Sequence, residues 1–169
     1  MSVWYPVQIR FRDLDPLSHV NNSVFFVYFE EARSYYFGQL DLERWPSQEN
    51  DQLIHSSAEE EHKVHTSRIQ TTAIGAHYGS LIKENSCIYN LPIIHSDKAE
   101  IGVRVIHVGR SSFVMELQIR DSREHERIFA TGRTVMVWCN YHTGRPFPVP
   151  PVLRAAFERV EGRAFPIPE

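Results

Sequence analysis

The sequence predicts an α+β fold in which a mainly antiparallel sheet wraps one long hydrophobic helix. A single helix with a broad apolar face begins at Asn21 or Asn22. Four segments of two-residue alternation follow it, joined by short polar turns. Strands that run on after one helix, instead of alternating with helices, indicate an antiparallel sheet packed by that helix.

The 169 residues suggest one domain over 1–169. A chain of this size buries about two-thirds of its unfolded surface, enough for a core without staples. The first strand places Val7, Ile9 and Phe11 on one face and Gln8, Arg10 and Arg12 on the other. The period then changes. Val24, Phe25, Tyr28, Phe29, Ala32 and Tyr36 recur at helical spacing, and Phe26 and Val27 widen the stripe, which implies a helix covered on most sides. Glu30, Glu31 and Arg33 mark its polar side, and Gly38 is a fitting stop.

Residues 45–75 form an extended excursion. "WPSQENDQ" reads as a turn and "HSSAEEEHKVHTSR" as a charged, solvated stretch. His62 and His65 share one helical face there and His55 stands nearby. No third ligand falls in a recognised pattern, so no metal is assigned. Alternation returns in residues 81–94, 99–108, 113–120 and 129–141. Repeated prolines in "TGRPFPVPP" then end the sheet. A short helix, "PVLRAAFERV", follows, with Pro151 in its first turn. The sheet edges are open, and edge pairing with a second copy is the usual remedy, so a homodimer or homotetramer is expected.

Charge and composition exclude several classes. The net charge of −3, from 18 basic and 21 acidic residues, gives no basic surface for nucleic acid. Cys87 and Cys139 stand alone in apolar runs and read as small buried hydrophobes, which fits a reducing, cytoplasmic setting. The N-terminus lacks the pattern of a signal peptide, and no run reaches the roughly 20 apolar residues of a membrane span.

The chemistry-bearing residues gather where the first strand meets the long helix. Asp13, Asp15, His19, Asn21 and Asn22 lie within ten residues. Asp, Asn and Ser are favoured in turns and at helix N-caps, and one of Asn21 or Asn22 is such a cap. Capping and catalysis are both open for Asp13 and Asp15 at this point.

The stretch "RFRDLDPLSHVNNSVFFVYFEEAR" resembles the signature of hotdog-fold acyl-CoA thioesterases of the 4-hydroxybenzoyl-CoA thioesterase type. "YNLPIIHSDKAEIGVRV" and "GRSSFVMELQI" resemble later segments of the same family, so the likeness covers roughly residues 7–40 and 78–158. The excursion is longer than the family usually has, and Ser18 stands where many relatives have Gly or Gln. The resemblance implies the hotdog fold and hydrolysis of an acyl-CoA to free acid and CoA, without a cofactor. It makes Asp15 the catalytic carboxylate, as nucleophile or as general base. Amides from Val20 to Asn22, at the positive end of the helix dipole, are the expected oxyanion donors. His19 either orients Asp15 or the water, or is a satisfied turn histidine. Asp13 caps or orders the turn. Glu30 and Glu31, near mid-helix, rank below Asp15. The phosphates of CoA call for a basic group, and Arg110 with Ser111 and Ser112 is the expected binder. Phe25 and Tyr28 are expected to line the acyl pocket. The other readings are a non-catalytic hotdog module that binds acyl-CoA or a protein partner, and an acyl carrier protein thioesterase.

Overall fold

The computed structural model describes residues 1–40 and 78–167. The excursion with His55, His62 and His65 falls outside the described residues. Five strands form one sheet: β1 (Val3–Val7), β2 (Tyr78–Tyr89), β3 (Ala99–Val108), β4 (Ser112–Asp121) and β5 (Ile128–Asn140). Their spatial order is β1-β3-β4-β5-β2, and every pairing is antiparallel. Helix α1 spans Asn22–Gly38 and helix α2 spans Pro151–Glu161.

Helix α1 lies on one face of the sheet and ends at Gly38, as expected. Phe25, Tyr28, Phe29, Ala32 and Tyr36 are buried there. The closest approach is at Gly132 of β5, where a Cβ would stand 2.5 Å from the Phe29 ring. The absent side chain lets the helix settle onto the sheet, and fully burying a ring such as Phe29 stabilises by about 1.5–3 kcal/mol. Helix α2 packs beyond the end of α1. Its Phe157 meets Phe113 at 5.0 Å between ring centroids, and its Glu161 accepts from the Val105 amide at 2.8 Å. Gly162 ends α2 in the left-handed region at φ 65°.

Register sorts the two sheet faces, because directly opposed residues share a face. Val105, Met115, Thr134 and Asn85 form one row toward α1; Val103, Leu117, Gly132 and Cys87 form the next. The opposite face carries Arg104, Glu116, Arg133 and Ser86 in a row. There Arg104 pairs with Glu116 at 2.5 Å and Arg133 with Glu84 at 3.2 Å.

Three expectations are corrected. The first strand does not reach Phe11. Pairing stops at Val7, and residues Phe11–Asp13 form a 3-10 turn with Phe11 83% exposed. The cause is Asp13, whose carboxylate accepts from the Arg10 amide at 2.8 Å and closes the chain on itself. Pro6 is exposed on this edge strand, where its missing N–H is tolerated. The strand expected over 81–94 starts at Tyr78 and stops at Tyr89. Arg33, expected on the polar side of the helix, is buried. The remaining strands and α2 lie where alternation and proline place them. Cys87 and Cys139 are free thiols, half-buried and buried respectively. No helix among the described residues is long and apolar enough to cross a membrane.

Candidate active site

The junction between β1 and α1 is closed by its own polar groups. The Asp15 amide donates to the His19 carbonyl at 2.7 Å, and the Ser18 amide donates to the Asp15 carbonyl at 2.9 Å. Ser18 turns the chain through the left-handed region at φ 64°. Glycine adopts that region freely, while serine does so at a cost of about 1–2 kcal/mol, so Ser18 takes a turn conformation that glycine would reach more easily.

This turn orients Asp15. Its Oδ1 accepts from the amides of Leu17 at 2.8 Å and His19 at 3.2 Å. Its Oδ2 has no hydrogen-bond partner among the described residues. The carboxylate is therefore held by one oxygen and presents the other. The His19 ring makes no hydrogen bond among the described residues; only its backbone engages Asp15.

Asp13 orders the turn. Its Oδ2 accepts from the Tyr28 hydroxyl at 2.8 Å, and its carbonyl accepts from the Asn21 amide at 2.9 Å. Tyr28 is thus bonded to Asp13 and 1% exposed. Burial first, and then the Asp13 carboxylate, hold the Tyr28 phenol above its usual pKa of 10.0.

Of the three expected oxyanion donors, two are already used. The Val20 amide donates to Ile93 at 2.8 Å and the Asn21 amide to Asp13, so neither is available. For Val20 the reason is tertiary: the segment after β2 docks against the turn, with a bridge between His19 and Ile94; the Asn21 bond belongs to the turn itself, which a Leu14–Val20 bridge closes. Asn22 opens the helix, and the first helical N–H has no acceptor within its own helix. No bond of that amide to another described residue is found. Asn21 is the cap; its Oδ1 accepts from the Ser23 amide at 2.9 Å. Tyr89 at the end of β2 donates its hydroxyl to the Asn22 carbonyl at 3.1 Å and meets Phe25 edge-on at 5.0 Å.

Arg110, Ser111 and Ser112 are not brought to Asp15. Asp15 follows the Val7 end of β1, which pairs with Ala99 at the start of β3. Arg110 follows Val108 at its other end. The ten residues of β3 separate the two ends by roughly 30 Å. At that far end a cavity of about 440 Å³ lies between α2 and the β3–β4 turn, lined by Arg110, Pro148, Val149, Arg154 and Glu158 among others. Glu31 pairs with Arg10 at 3.6 Å, away from the helix start.

In general, an oriented carboxylate near an unpaired helix N-terminal amide can serve attack on an acyl carbonyl, the one as base or nucleophile and the other as oxyanion donor. The family model described as "Thioesterase-like superfamily" matches residues 9–157. The chain belongs to the thioesterase-like superfamily. That membership makes it a thioester hydrolase by class. It is similar to a thioesterase from Thermus thermophilus, solved with coenzyme A and Zn: 31% identity, 97% of each chain covered, TM-score 0.68. It is also similar to the putative thioesterase PA2801 from Pseudomonas aeruginosa: 26% identity, 91% of this chain and 95% of that one, TM-score 0.65. Among curated proteins it is 26% identical to YsmA of Bacillus subtilis (strain 168), over 85% of this chain and 77% of that protein.

Sequence reasoning missed the roles of Tyr89 and Arg33 in this thioesterase-like chain. A signal for Arg33 was present. It follows Phe29 by four residues and Asn22 by eleven, positions that share one helix face.

Proposed function

We propose that this chain hydrolyses an acyl-CoA thioester to free acid and CoA. Asp15 acts as nucleophile or general base, and the Asn22 amide as oxyanion donor. The observation that carries this is the unpaired Oδ2 of Asp15, on a carboxylate whose Oδ1 is fixed by two amides. As base, Oδ2 takes a proton from water while the water oxygen bonds to the carbonyl carbon. The carbonyl electron pair moves to oxygen, facing the Asn22 N–H, and returns as the C–S bond breaks. As nucleophile, Oδ2 itself bonds to that carbon, CoA leaves as thiolate, and water cleaves the mixed anhydride. Neither route needs a metal or other cofactor. CoA as the carrier is supported by the coenzyme A complex of the Thermus thermophilus thioesterase.

The reading includes a single hotdog domain over residues 1–169, with the sheet curling round α1. Irregular registers at Ile82/Glu84, Val105/His107 and Ile119/Arg120 support that curvature. It also includes a homodimer through β2, whose outer edge is open and whose Leu81, Ile82, Ile88 and Tyr89 are exposed. Antiparallel pairing of β2 with its copy would bring the partner's β3–β4 turn to the Asp15 end. That places Arg110, Ser111 and Ser112 to meet CoA phosphates across the seam. Light scattering should give twice the chain mass. The two free thiols fit a cytoplasmic location.

The test is Asp15→Asn. Asparagine keeps an oxygen for the Leu17 and His19 amides, so the turn should persist. Thiol release from a panel of short, long and aryl acyl-CoAs should fall by about 10²–10⁴, with circular dichroism unchanged. An active Asp15→Asn enzyme would sink the assignment.

A further inference from the structure

Arg33 is 4% exposed and, among the described residues, makes a single hydrogen bond, from Nη1 to Thr134 Oγ1 at 3.3 Å. Thr134 hands the line on, donating to Asn85 Oδ1 at 2.8 Å on the open edge strand β2. No carboxylate pairs with Arg33 among the described residues; Glu30, one turn earlier and exposed, acts only at a distance. Nε and Nη2 of Arg33 have no hydrogen-bond partner among the described residues, and they do not stand with Trp138 Nε1 among the fully buried atoms left without one. A buried cation without a counter-charge is costly, and a bound anion relieves that cost.

Its position relative to the reacting end is defined. Eleven residues after Asn22, Arg33 returns to the same helix face within roughly 20°, about 16 Å along the axis. Helical side chains lean toward the N-terminus, so the guanidinium stands nearer to Asn22 than that. Tyr89, Cys87 and Asn85 floor the route between them, on the α1-facing side of β2. Phe29 against Gly132 closes the side toward β5.

We propose that the acyl chain lies between α1 and β2 with Arg33 recognising an anion at its end, and that the preferred substrate is a thioester whose acyl group ends in a carboxylate. This rests on the hydrolase reading for Asp15 and Asn22. The guanidinium fork matches a carboxylate through two parallel hydrogen bonds, with Asn85 beside it as a further polar contact.

The experiment compares matched pairs at each chain length: an ω-carboxyacyl-CoA and the plain acyl-CoA of equal carbon number. The wild type should favour the carboxylated member by about tenfold or more in kcat/KM at its best length. That ratio should fall toward one in Arg33→Gln and Arg33→Met, through KM, and survive in part in Arg33→Lys. A wild-type ratio near one at every length overturns the proposal, as does a ratio that survives Arg33→Met. Where the Met variant does not fold, by circular dichroism, the wild-type ratio and Arg33→Lys decide. Absence of any turnover would refute the hydrolase reading alone. Calorimetric binding of the same pairs then decides this one: a preference for the carboxylated member that Arg33→Gln abolishes upholds it, and equal binding overturns it.

Discussion

Two buried arginines, one on each helix, differ in their surroundings. Arg154 of α2 is 7% exposed and donates to three carbonyls: Val108 at 3.1 Å, Phe165 at 2.8 Å and Gly109 at 2.6 Å. It ties the helix, the β3–β4 turn and the C-terminal segment together through three of its five N–H groups. Arg33 is as deeply buried and has one bond, of 3.3 Å, among the described residues. A guanidinium that serves architecture is tied by several backbone oxygens, because each lost partner would cost the fold. One with a single long bond to a hydroxyl is not explained by that role. The same contrast holds within the junction itself. Asp13 is buried, and its Oδ2 takes both the Arg10 amide and the Tyr28 hydroxyl from the helix, whereas Asp15 is half-buried and its carboxylate bonds only backbone amides of its own turn.

The largest effect on stability is expected at Arg154. Arg154→Met strands three carbonyls and should cost about 3 kcal/mol or more in denaturant unfolding. Arg33→Met removes one long hydrogen bond and also a desolvated charge, so its cost should stay within about 1 kcal/mol. Equal losses at the two sites would erase the distinction between them.

The next effect is alkaline. Tyr36 donates to Glu161 at 2.5 Å and Tyr28 to Asp13 at 2.8 Å. Burial first, then the facing carboxylate, raises both phenol pKa values above 10.0. The protonated phenol is the form that the fold favours. That stabilisation is complete below pH 10 and is lost as the pH rises through the folded values. Stability by thermal unfolding should therefore be flat toward about pH 10 and decline above it. Tyr28→Phe should soften the decline and cost about 1 kcal/mol at neutral pH. A decline unchanged by Tyr28→Phe would remove that residue from the account.

Local patterns made much of this legible. The apolar period of α1, the Asn21 cap, the turns around β3, β4 and β5 and the proline stop each depend on neighbours within a few residues. The alternation of Val7, Ile9 and Phe11 misled, because the Asp13 carboxylate folds the chain into a turn at Arg10 and pairing with β3 stops at Val7 and Ala99. Arg110 beside two serines is a sound local signal for phosphate. Only the strand order puts it at the opposite end of β3 from Asp15.

By itself the sequence determined a long helix capped at Asn21 or Asn22, a run of antiparallel strands and an Asp15 turn just before the helix, because capping, turn chemistry and periodicity are short-range. The tertiary structure decided which polar groups remain free. Ile93 takes the Val20 amide, and Thr134 gives Arg33 its single hydrogen bond among the described residues. Residual hydrogen-bonding capacity is what remains after distant segments have paired. It cannot be read from any one of them alone.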